Sequence, residues 1–235
     1  MPILALDTST LVSSVAVATS NKLLAELTVE TRLTHSETLM PHIEQVLAMA
    51  DIDRKDLAGV AVSIGPGSFT GLRIGLATAK AMAYALDLPL LGVPTMEALA
   101  CQCPVPGICV VPLIDAQKGN AYMAVYSWED GELVERQAVE VLSVDECLAR
   151  CAALGRPSIL LGDAAVRKVA GKKELPAGVQ IAMPHIVMPR AAGTAMRGLR
   201  MLAAGQAGSV MDMEPVYIRR SEAEVLWEKR QKEQA

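Results

Sequence analysis

Aromatic side chains are scarce in this sequence. The 235 residues include two tryptophans, four tyrosines and one phenylalanine, and only Phe69 and Tyr84 lie among the first hundred. Proteins that bind single-stranded nucleic acid stack bases on aromatic rings, so this half predicts no base-stacking surface. A basic excess is missing as well, because the formal net charge is −4 and nucleic-acid-binding domains are usually basic. We therefore do not expect this chain to be the main reader of an RNA.

Long apolar runs are also absent. No run approaches the roughly 20 residues that span a bilayer, so we expect no contact with a membrane. The first residues, Met1 to Asp7, carry no basic leader and read directly into a strand. This start is not typical of a signal peptide, and we expect a cytoplasmic protein.

The cysteines form no recognisable metal or redox motif. Their number is odd, and none of them forms a C-x-x-C pair. We interpret them as buried thiols that behave like small hydrophobic side chains. They are Cys101, Cys103, Cys109, Cys147 and Cys151.

A weak internal repeat divides the chain into two lobes. Residues 3–7 and 109–115 are apolar strands that both end in an aspartate, Asp7 and Asp115, followed by a polar turn and another apolar strand. The segment between the halves, residues 103–107, is rich in proline and ends in glycine, which is typical of a linker. We predict an α/β protein with lobes at 1–103 and 108–218 and a charged tail at 219–235.

Apolar periodicity and turn residues predict the elements of both lobes. In the first lobe the strands are expected at 2–7, 13–19, 23–32, 59–64 and 89–93. The helices are expected at 36–50 and 72–86, and a short helix is expected to begin near residue 95. Ser36 is the predicted N-cap of the first helix. In the second lobe the strands are expected at 109–115, 120–128, 132–142 and 158–162, and the helices at 144–154, 163–171 and 191–204.

A glycine-rich loop, Gly65 to Gly71, joins a strand to the helix at 72–86. Such a junction directs backbone N–H groups and the positive end of a helix dipole at one point, where a phosphate can bind. We predict a remnant phosphate site with weak nucleotide binding at Asp7, Ser9, Gly65, Gly67 and Ser68. The alternative is a tight turn that allows close packing, with Ser68 as a helix N-cap. The spacing matches neither a Walker nor a Rossmann motif, so we expect neither ATP turnover nor a tightly bound cofactor.

The helix at 72–86 consists mostly of small residues and carries only two charged side chains, Arg73 and Lys80. We predict that Ile74, Ala77 and Ala81 pack on the sheet and that the other side is a flat surface for a partner protein. The alternative is that the helix at 36–50 and the second lobe cover this side. The predicted partner interface consists of Leu39, Met40, Ile43, Gly71, Gly75, Thr78 and Met82.

Several segments together resemble the TsaB family. They are Asp7-Thr8-Ser9-Thr10, His35-Ser36-Glu37, the loop at 65–73, Gly92-Val93-Pro94-Thr95, Ile114-Asp115-Ala116 with Gly119, and Pro215-Val216-Tyr217-Ile218-Arg219. The resemblance implies the actin-like, sugar-kinase and heat-shock-ATPase (ASKHA) fold, with a ribonuclease-H-like mixed sheet in each lobe. It also implies a role in making threonylcarbamoyladenosine beside the anticodon of tRNAs that read codons starting with adenine. The partners would be TsaD, which transfers the threonylcarbamoyl group, and the ATPase TsaE.

The resemblance also implies that this chain has no catalytic metal. The paralogue TsaD carries a His-x-x-x-His pair on the helix after this loop, whereas Thr95 and Leu99 occupy those positions here. We therefore expect a non-catalytic subunit that binds TsaD, pairs with its own copy when alone and meets tRNA only indirectly. The alternatives are an active ATPase or kinase of the same superfamily, a metallo-endopeptidase-like protein, which the missing histidines disfavour, and a tRNA-binding module.

Basic side chains of the second half form two candidate patches. One contains Arg190, Arg197 and Arg200 on a predicted helix, and the other contains Arg167-Lys168 and Lys172-Lys173. Either patch could contact tRNA phosphates within a complex. We favour the simpler interpretation of a solvated face.

Overall fold

The first sheet has five strands in the order β3-β2-β1-β4-β5. The computed structural model describes residues 1–30 and 34–218. The strands are β1 (Ile3–Asp7), β2 (Val12–Thr19), β3 (Lys22–Glu30), β4 (Val60–Gly65) and β5 (Leu90–Pro94). β1 pairs antiparallel with β2 and parallel with β4. The sheet therefore joins an antiparallel meander to two parallel strands.

Helices cover both faces of this sheet. Helices α1 (His35–Ala50) and α2 (Phe69–Leu86) pack on one face, and α3 (Thr95–Cys101) directly follows β5. Helix α4 (Val144–Ala153) packs in the second lobe, whereas α5 (Ala191–Ala203) packs on the other face of this first sheet. Successive side chains of a strand point to opposite faces, so Leu4 and Leu6 pack beneath α1 and α2, whereas Ile3 and Ala5 pack beneath α5. All four side chains are fully buried, which explains why β1 reads as a continuous apolar run.

The second sheet repeats the topology of the first. Its strands are β6 (Cys109–Asp115), β7 (Asn120–Glu129), β8 (Glu132–Ser143), β9 (Ser158–Leu161) and β10 (Val179–Ile181). Their order is β10-β9-β6-β7-β8, which is the order of the first sheet when the strands are counted along each half. The repeat predicted from the two aspartate-terminated strands is thus confirmed. Asp130 and Gly131, both at positive φ, form the tight turn between β7 and β8.

Helix α5 belongs to the first lobe, although it follows the second sheet in sequence. The backbone N–H of Ala191 donates to Ser14 Oγ of β2 at 2.8 Å. The segment after α5 also returns to the first sheet, since Gly208 N donates to Leu90 O at 3.0 Å and Val216 N to Ile64 O at 2.7 Å. The prediction that residues 108–218 form the second lobe is therefore wrong for residues 191–218, because apolar patterning does not say which sheet a helix covers.

The ends of several elements differ from the predictions. Ser68 caps α2 as expected, but the helix begins at Phe69. Thr34, not Ser36, precedes the first turn of α1, and its backbone N–H donates to Glu37 Oε2 at 3.0 Å. The predicted helix at 163–171 is helical over 163–169, with a π-helical segment at Ala165–Val169. The three-residue strand β10 was too short for a periodic signal. The tail at 219–235 and residues 31–32 of the third predicted strand lie outside the described residues.

Within the described part of the chain, no helix combines the length and the apolar character needed to cross a membrane.

Candidate functional site

An apolar groove separates α1 from α2 on the outer face of the first lobe. Its volume is about 790 Å³. The residues that line it are Met40, Ile43, Glu44, Leu47, Ile52, Asp53, Arg54, Ala77, Thr78, Ala81, Met82, Ala85 and Leu86. Four of the predicted interface residues, Met40, Ile43, Thr78 and Met82, thus come together at one surface.

The faces of α2 differ in part from the prediction. Gly71 and Gly75 are buried, and a Cβ atom on either residue would overlap Thr8, at its carbonyl oxygen or at Oγ1. Ala77 and Ala81, which were expected to pack on the sheet, are exposed on the outer side. The prediction that Gly71 and Gly75 contribute to an outward surface is therefore wrong.

The remaining predicted interface residue is also buried within the chain. Leu39 is 1% exposed and belongs to the core beneath α1. The sequence did contain a weak signal for the correct faces of α2. The larger apolar residues Leu72 and Leu76 mark its buried side, whereas the charged residues Arg73 and Lys80 mark the opposite side. The small residues between them obscured it, since alanine and glycine suit either environment.

The groove combines an apolar floor with a charged end. Ile43 and Leu47 are buried, whereas the side chain of Met40 is 45% exposed at the rim. Asp53 and Arg54 supply opposite charges beside the apolar residues. Such a surface offers a partner helix both apolar contacts and a few polar contacts that fix its position.

The glycine loop is filled by a turn of the same chain. The backbone N–H of Ser68 donates to Ser9 O at 2.7 Å, and the Ser9 carbonyl leaves no room for a side chain at position 67. Ser68 Oγ accepts a hydrogen bond from Gly71 N at 3.2 Å. Two backbone donors that could bind a phosphate, Ser68 N and Gly71 N, are thus used within the chain, which agrees with the alternative of a tight turn that allows close packing.

Asp7 lies beneath this turn and is nearly inaccessible. Its Oδ1 accepts hydrogen bonds from Ser9 N at 3.0 Å and from Ser9 Oγ at 2.7 Å, and its Oδ2 accepts one from Thr194 Oγ1 at 3.2 Å. Burial raises the pKa of Asp7, and these hydrogen bonds oppose the rise. Four of the predicted phosphate-site residues therefore lie together, namely Asp7, Ser9, Gly67 and Ser68. They pack against each other and form a junction within the chain.

The fifth predicted phosphate residue, Gly65, contacts the C-terminal segment. The carbonyl of Val216 lies against Gly65, so that a Cβ atom there would overlap it. Arg73 strengthens this contact, because its Nε donates to Tyr217 Oη at 3.0 Å and its guanidinium lies 3.9 Å from the centre of the Phe69 ring. Sequence reasoning missed this contact, since the two segments are far apart in the chain.

The positions of the missing histidine pair are enclosed in the core. Thr95 and Leu99 are both fully buried. The histidines of α1 instead contact the turn after β1 and the strand that follows: His35 Nε2 lies 2.8 Å from Thr10 O, and His42 Nδ1 lies 3.2 Å from Ser13 Oγ of β2. Across residues 1–30 and 34–218, no three His, Cys, Asp or Glu side chains are grouped so that they could hold a metal ion.

The cysteines are free thiols, and the prediction that they are buried is confirmed for all but Cys101, which is partly exposed. Burial raises the pKa of Cys101 to about 11 and that of Cys151 to about 12. Thiols with such pKa values are poor nucleophiles at neutral pH.

The aspartate that ends β6 is neutralised. Lys168 Nζ lies 2.6 Å from Asp115 Oδ1 and also donates to Asn120 O at 2.8 Å. Asp163, which accepts a hydrogen bond from Asp115 N at 2.9 Å, has its pKa raised by burial.

The candidate basic patches contain many ion pairs. Lys172 pairs with Asp145, Arg190 with Glu26, Arg197 with Glu97 and Arg200 with Glu132. Basic side chains that are already paired have less charge to offer a phosphate. The patches thus agree better with a solvated or structural role than with tRNA contact.

Comparison with known proteins relates this arrangement to a family. The family model described as TsaD, tRNA N6-adenosine threonylcarbamoyltransferase, matches residues 29–159, which is more than half of the chain. The Bacillus subtilis (strain 168) protein named tRNA threonylcarbamoyladenosine biosynthesis protein TsaB is 32% identical over 238 residues, covering 99% of this chain and 100% of the relative.

Solved structures agree with the fold. A crystal structure of an uncharacterized Pseudomonas aeruginosa protein with similarity to peptidase YEAZ has a TM-score of 0.77 at 25% identity, covering 93% of this chain and 99% of the other. The ROK hexokinase from Thermus thermophilus has a TM-score of 0.50 at 11% identity, covering 87% of this chain and 100% of the other, which bears on the fold alone. The predicted two-lobed ASKHA fold is confirmed.

The resemblance seen in the short sequence motifs thus extends over the whole chain, in sequence and in fold. The loop at 65–71, the turn at 7–10 and the segment at 215–218 meet at one junction of the first lobe. On these grounds the chain belongs to the TsaB family.

Proposed function

We propose that this chain is a non-catalytic subunit in the synthesis of threonylcarbamoyladenosine on tRNA, and that it acts by binding TsaD through the groove between α1 and α2. The pathway follows from the name of the Bacillus subtilis relative, which covers the chain from end to end. The groove is the observation that carries the mode of action. The reaction itself would take place on TsaD.

The groove supports partner binding on physical grounds. Exposed apolar surface is costly in water, and burying it contributes about 25 cal/mol per Å². Met40 and Met82 line opposite walls, and methionine side chains adapt their shape to different partners. The small residues Ala77 and Ala81 allow the backbone of a partner helix to approach α2 closely.

The non-catalytic role rests on the residues at the junction. Thr95 and Leu99 replace the histidines of TsaD, and leucine cannot bind a metal. The carboxyl group of Asp7 and the N–H groups of Ser68 and Gly71 are engaged inside the chain, so we expect no cofactor and at most weak nucleotide binding. Phosphate chemistry by this chain alone would require that packing to open.

The other components follow from the same proposal. TsaE joins the pair as the ATPase, and tRNA is bound by the assembly rather than by this chain. Without TsaD, the free chain pairs with a second copy through the same groove, because the apolar surface is then otherwise uncovered. The assembly operates in the cytoplasm, where tRNA is modified.

An arginine in the groove tests the docking surface. We expect Ala81→Arg to weaken co-elution with TsaD at least tenfold, because a charged side chain would be buried against an apolar partner. The fold should remain intact, since Ala81 is exposed. The matched control is Ala152→Arg on the exposed side of α4. If both variants bind TsaD as the wild type does, the groove is not the docking site.

Reconstitution tests the functional role separately. Transfer of the threonylcarbamoyl group to tRNA is measured with TsaD and TsaE, with and without this chain. We expect transfer to depend on the chain and to fall with Ala81→Arg in proportion to the lost binding. Full activity in the absence of the chain would refute the role, whatever the binding data show.

A further inference from the structure

A buried polar cluster lies beneath α5 at the end of β1. We define the Asp7 cluster as Asp7, Ser63, Thr95 and Thr194. Asp7 is 1% exposed, and the other three residues are completely buried. Polar groups in such a position need partners, because burying them without hydrogen bonds is costly.

The fold places these four residues on one face of the first sheet. Leu6 of β1 lies opposite Val62 of β4, so Asp7 and Ser63 are neighbours at the ends of adjacent parallel strands. Thr95 is the first residue of α3, directly after β5. Thr194 reaches the cluster from α5, where its Oγ1 donates to Asp7 Oδ2.

Close packing of α5 encloses the cluster. A Cβ atom on Gly193, next to Thr194, would overlap Ala98 O, one helical turn beyond Thr95. The helix therefore approaches α3 as closely as a glycine backbone allows. Water has little access to the carboxylate once α5 is in place.

The charge of Asp7 is not balanced by a side chain. Among the residues that the structure describes, no lysine, arginine or histidine forms an ion pair with it, and the groups that donate to it belong to the uncharged residues Ser9, Thr194 and Ser63. A buried carboxylate without an opposite charge is strongly disfavoured, and such groups are normally protonated, paired or bound to a cation.

The two remaining hydroxyl groups of the cluster are poorly satisfied. Ser63 Oγ reaches the Asp7 carboxyl group but not in good hydrogen-bond geometry, and Thr95 Oγ1 is buried without a hydrogen-bond partner. A hydroxyl oxygen has two lone pairs and can therefore bind a cation directly. Both oxygens lie on the side of the sheet that carries the Asp7 carboxyl group.

We propose that the Asp7 cluster binds a monovalent alkali cation, which joins β1 and β4 to α3 and α5. Its ligands are Asp7 Oδ2 and the hydroxyl oxygens of Ser63, Thr95 and Thr194. An oxygen-only ligand set suits a hard cation. A single carboxylate balances one positive charge, whereas Mg²⁺ and Ca²⁺ sites draw on more carboxylates or on bound water.

Thermal unfolding of the full chain tests the proposal, with potassium and sodium as probes. Melting temperatures are compared in KCl, NaCl and choline chloride at equal ionic strength. We expect KCl or NaCl to raise the Tm by about 5 °C at a hundredfold excess over Kd, because a ligand that binds only the folded state stabilises it. Choline is too large for the cluster and should have no such effect.

Two variants and a control identify the ligands. Asp7→Asn keeps the shape of the side chain but removes its charge, and Thr194→Val removes one hydroxyl. We expect the cation-dependent rise in Tm to disappear in Asp7→Asn and to need at least tenfold more cation in Thr194→Val. Thr38→Val, which removes a buried hydroxyl from α1 that bonds only to Thr34 O at 3.2 Å, should respond like the wild type.

The opposite results would overturn the proposal. If KCl, NaCl and choline chloride give the same Tm for the wild type, no alkali cation is bound. If Asp7→Asn keeps the full cation response, the response arises elsewhere on the molecule. Should Asp7→Asn fail to fold, the comparison of Thr194→Val with Thr38→Val decides, since both remove one hydroxyl at constant size.

Discussion

At the scale of single residues, two glycines determine how closely α2 approaches the first sheet. Gly71 and Gly75 lie directly against Thr8, whose Oγ1 donates to Gly71 O at 2.8 Å. A larger residue at either position would push the helix away from the turn after β1. The same displacement would move the outer side of α2, where the groove is formed.

Gly75→Ala tests this contact. We expect it to lower the free energy of unfolding by about 2 kcal/mol, because the new methyl group overlaps Thr8 Oγ1 and the packed core cannot give way. Urea denaturation measures the change. Gly171→Ala is the matched control, since nothing lies within 4 Å of its added Cβ atom. Equal stability of both variants would show that Thr8 moves aside at no cost.

Residue patterns also set the limit of what the sequence could predict. The strands were predictable because β-branched and apolar residues fill them and an aspartate ends both β1 and β6. The faces of α2 were not, because Ala77 and Gly75 have no size contrast that tells inside from outside. The contact of Arg73 with Tyr217 could not be predicted, since it joins residues that are 144 positions apart in the sequence.

At the scale of elements, the N-terminus of α5 is capped by a residue of strand β3. Arg190 provides no side-chain cap, and Glu26 Oε1 of β3 instead accepts a hydrogen bond from Ala192 N at 3.0 Å. Glu26 also pairs with Arg190, and its side chain is only 4% exposed. A carboxylate at this end of a helix is stabilised by the helix dipole.

Loss of this cap should destabilise the whole chain. We expect Glu26→Ala to cost about 3 kcal/mol, because it removes the acceptor of Ala192 N and the buried carboxylate that pairs with Arg190. Glu140→Ala provides the control, since Glu140 forms an exposed ion pair with Arg150 and such pairs contribute little. Chemical denaturation of both variants measures the difference. Similar losses would mean that the first turn of α5 finds another acceptor.

At the scale of the whole molecule, sequence order and spatial order differ. The second sheet is built from residues 109–181, without interruption. The first sheet needs residues from both ends of the chain, because α5 covers one face and the segment at 206–218 runs along β5 and the glycine loop. This division could not be predicted from apolar patterning, which identifies a helix but not the sheet that it covers.

Fragments of the chain should differ in whether they unfold cooperatively, according to whether they contain α5. We expect residues 1–103 alone to lack cooperative unfolding, because Ile3, Ala5 and Leu91 then face water. A fragment in which a glycine-serine linker joins residues 1–103 to residues 191–218 should recover a cooperative transition. Circular dichroism during thermal unfolding measures both. A cooperative transition of residues 1–103 alone would show that α5 is not needed for the first lobe.

The return of α5 also affects the order of events during synthesis. Domains usually fold from the N-terminus as the chain leaves the ribosome, but here the first lobe remains open on one side until residue 203 has emerged. The strands of the second lobe are complete by residue 181 and so are available to fold earlier. A newly made chain therefore exposes the apolar side of its first sheet throughout most of translation, and chaperones that recognise exposed apolar strands would meet it at that stage.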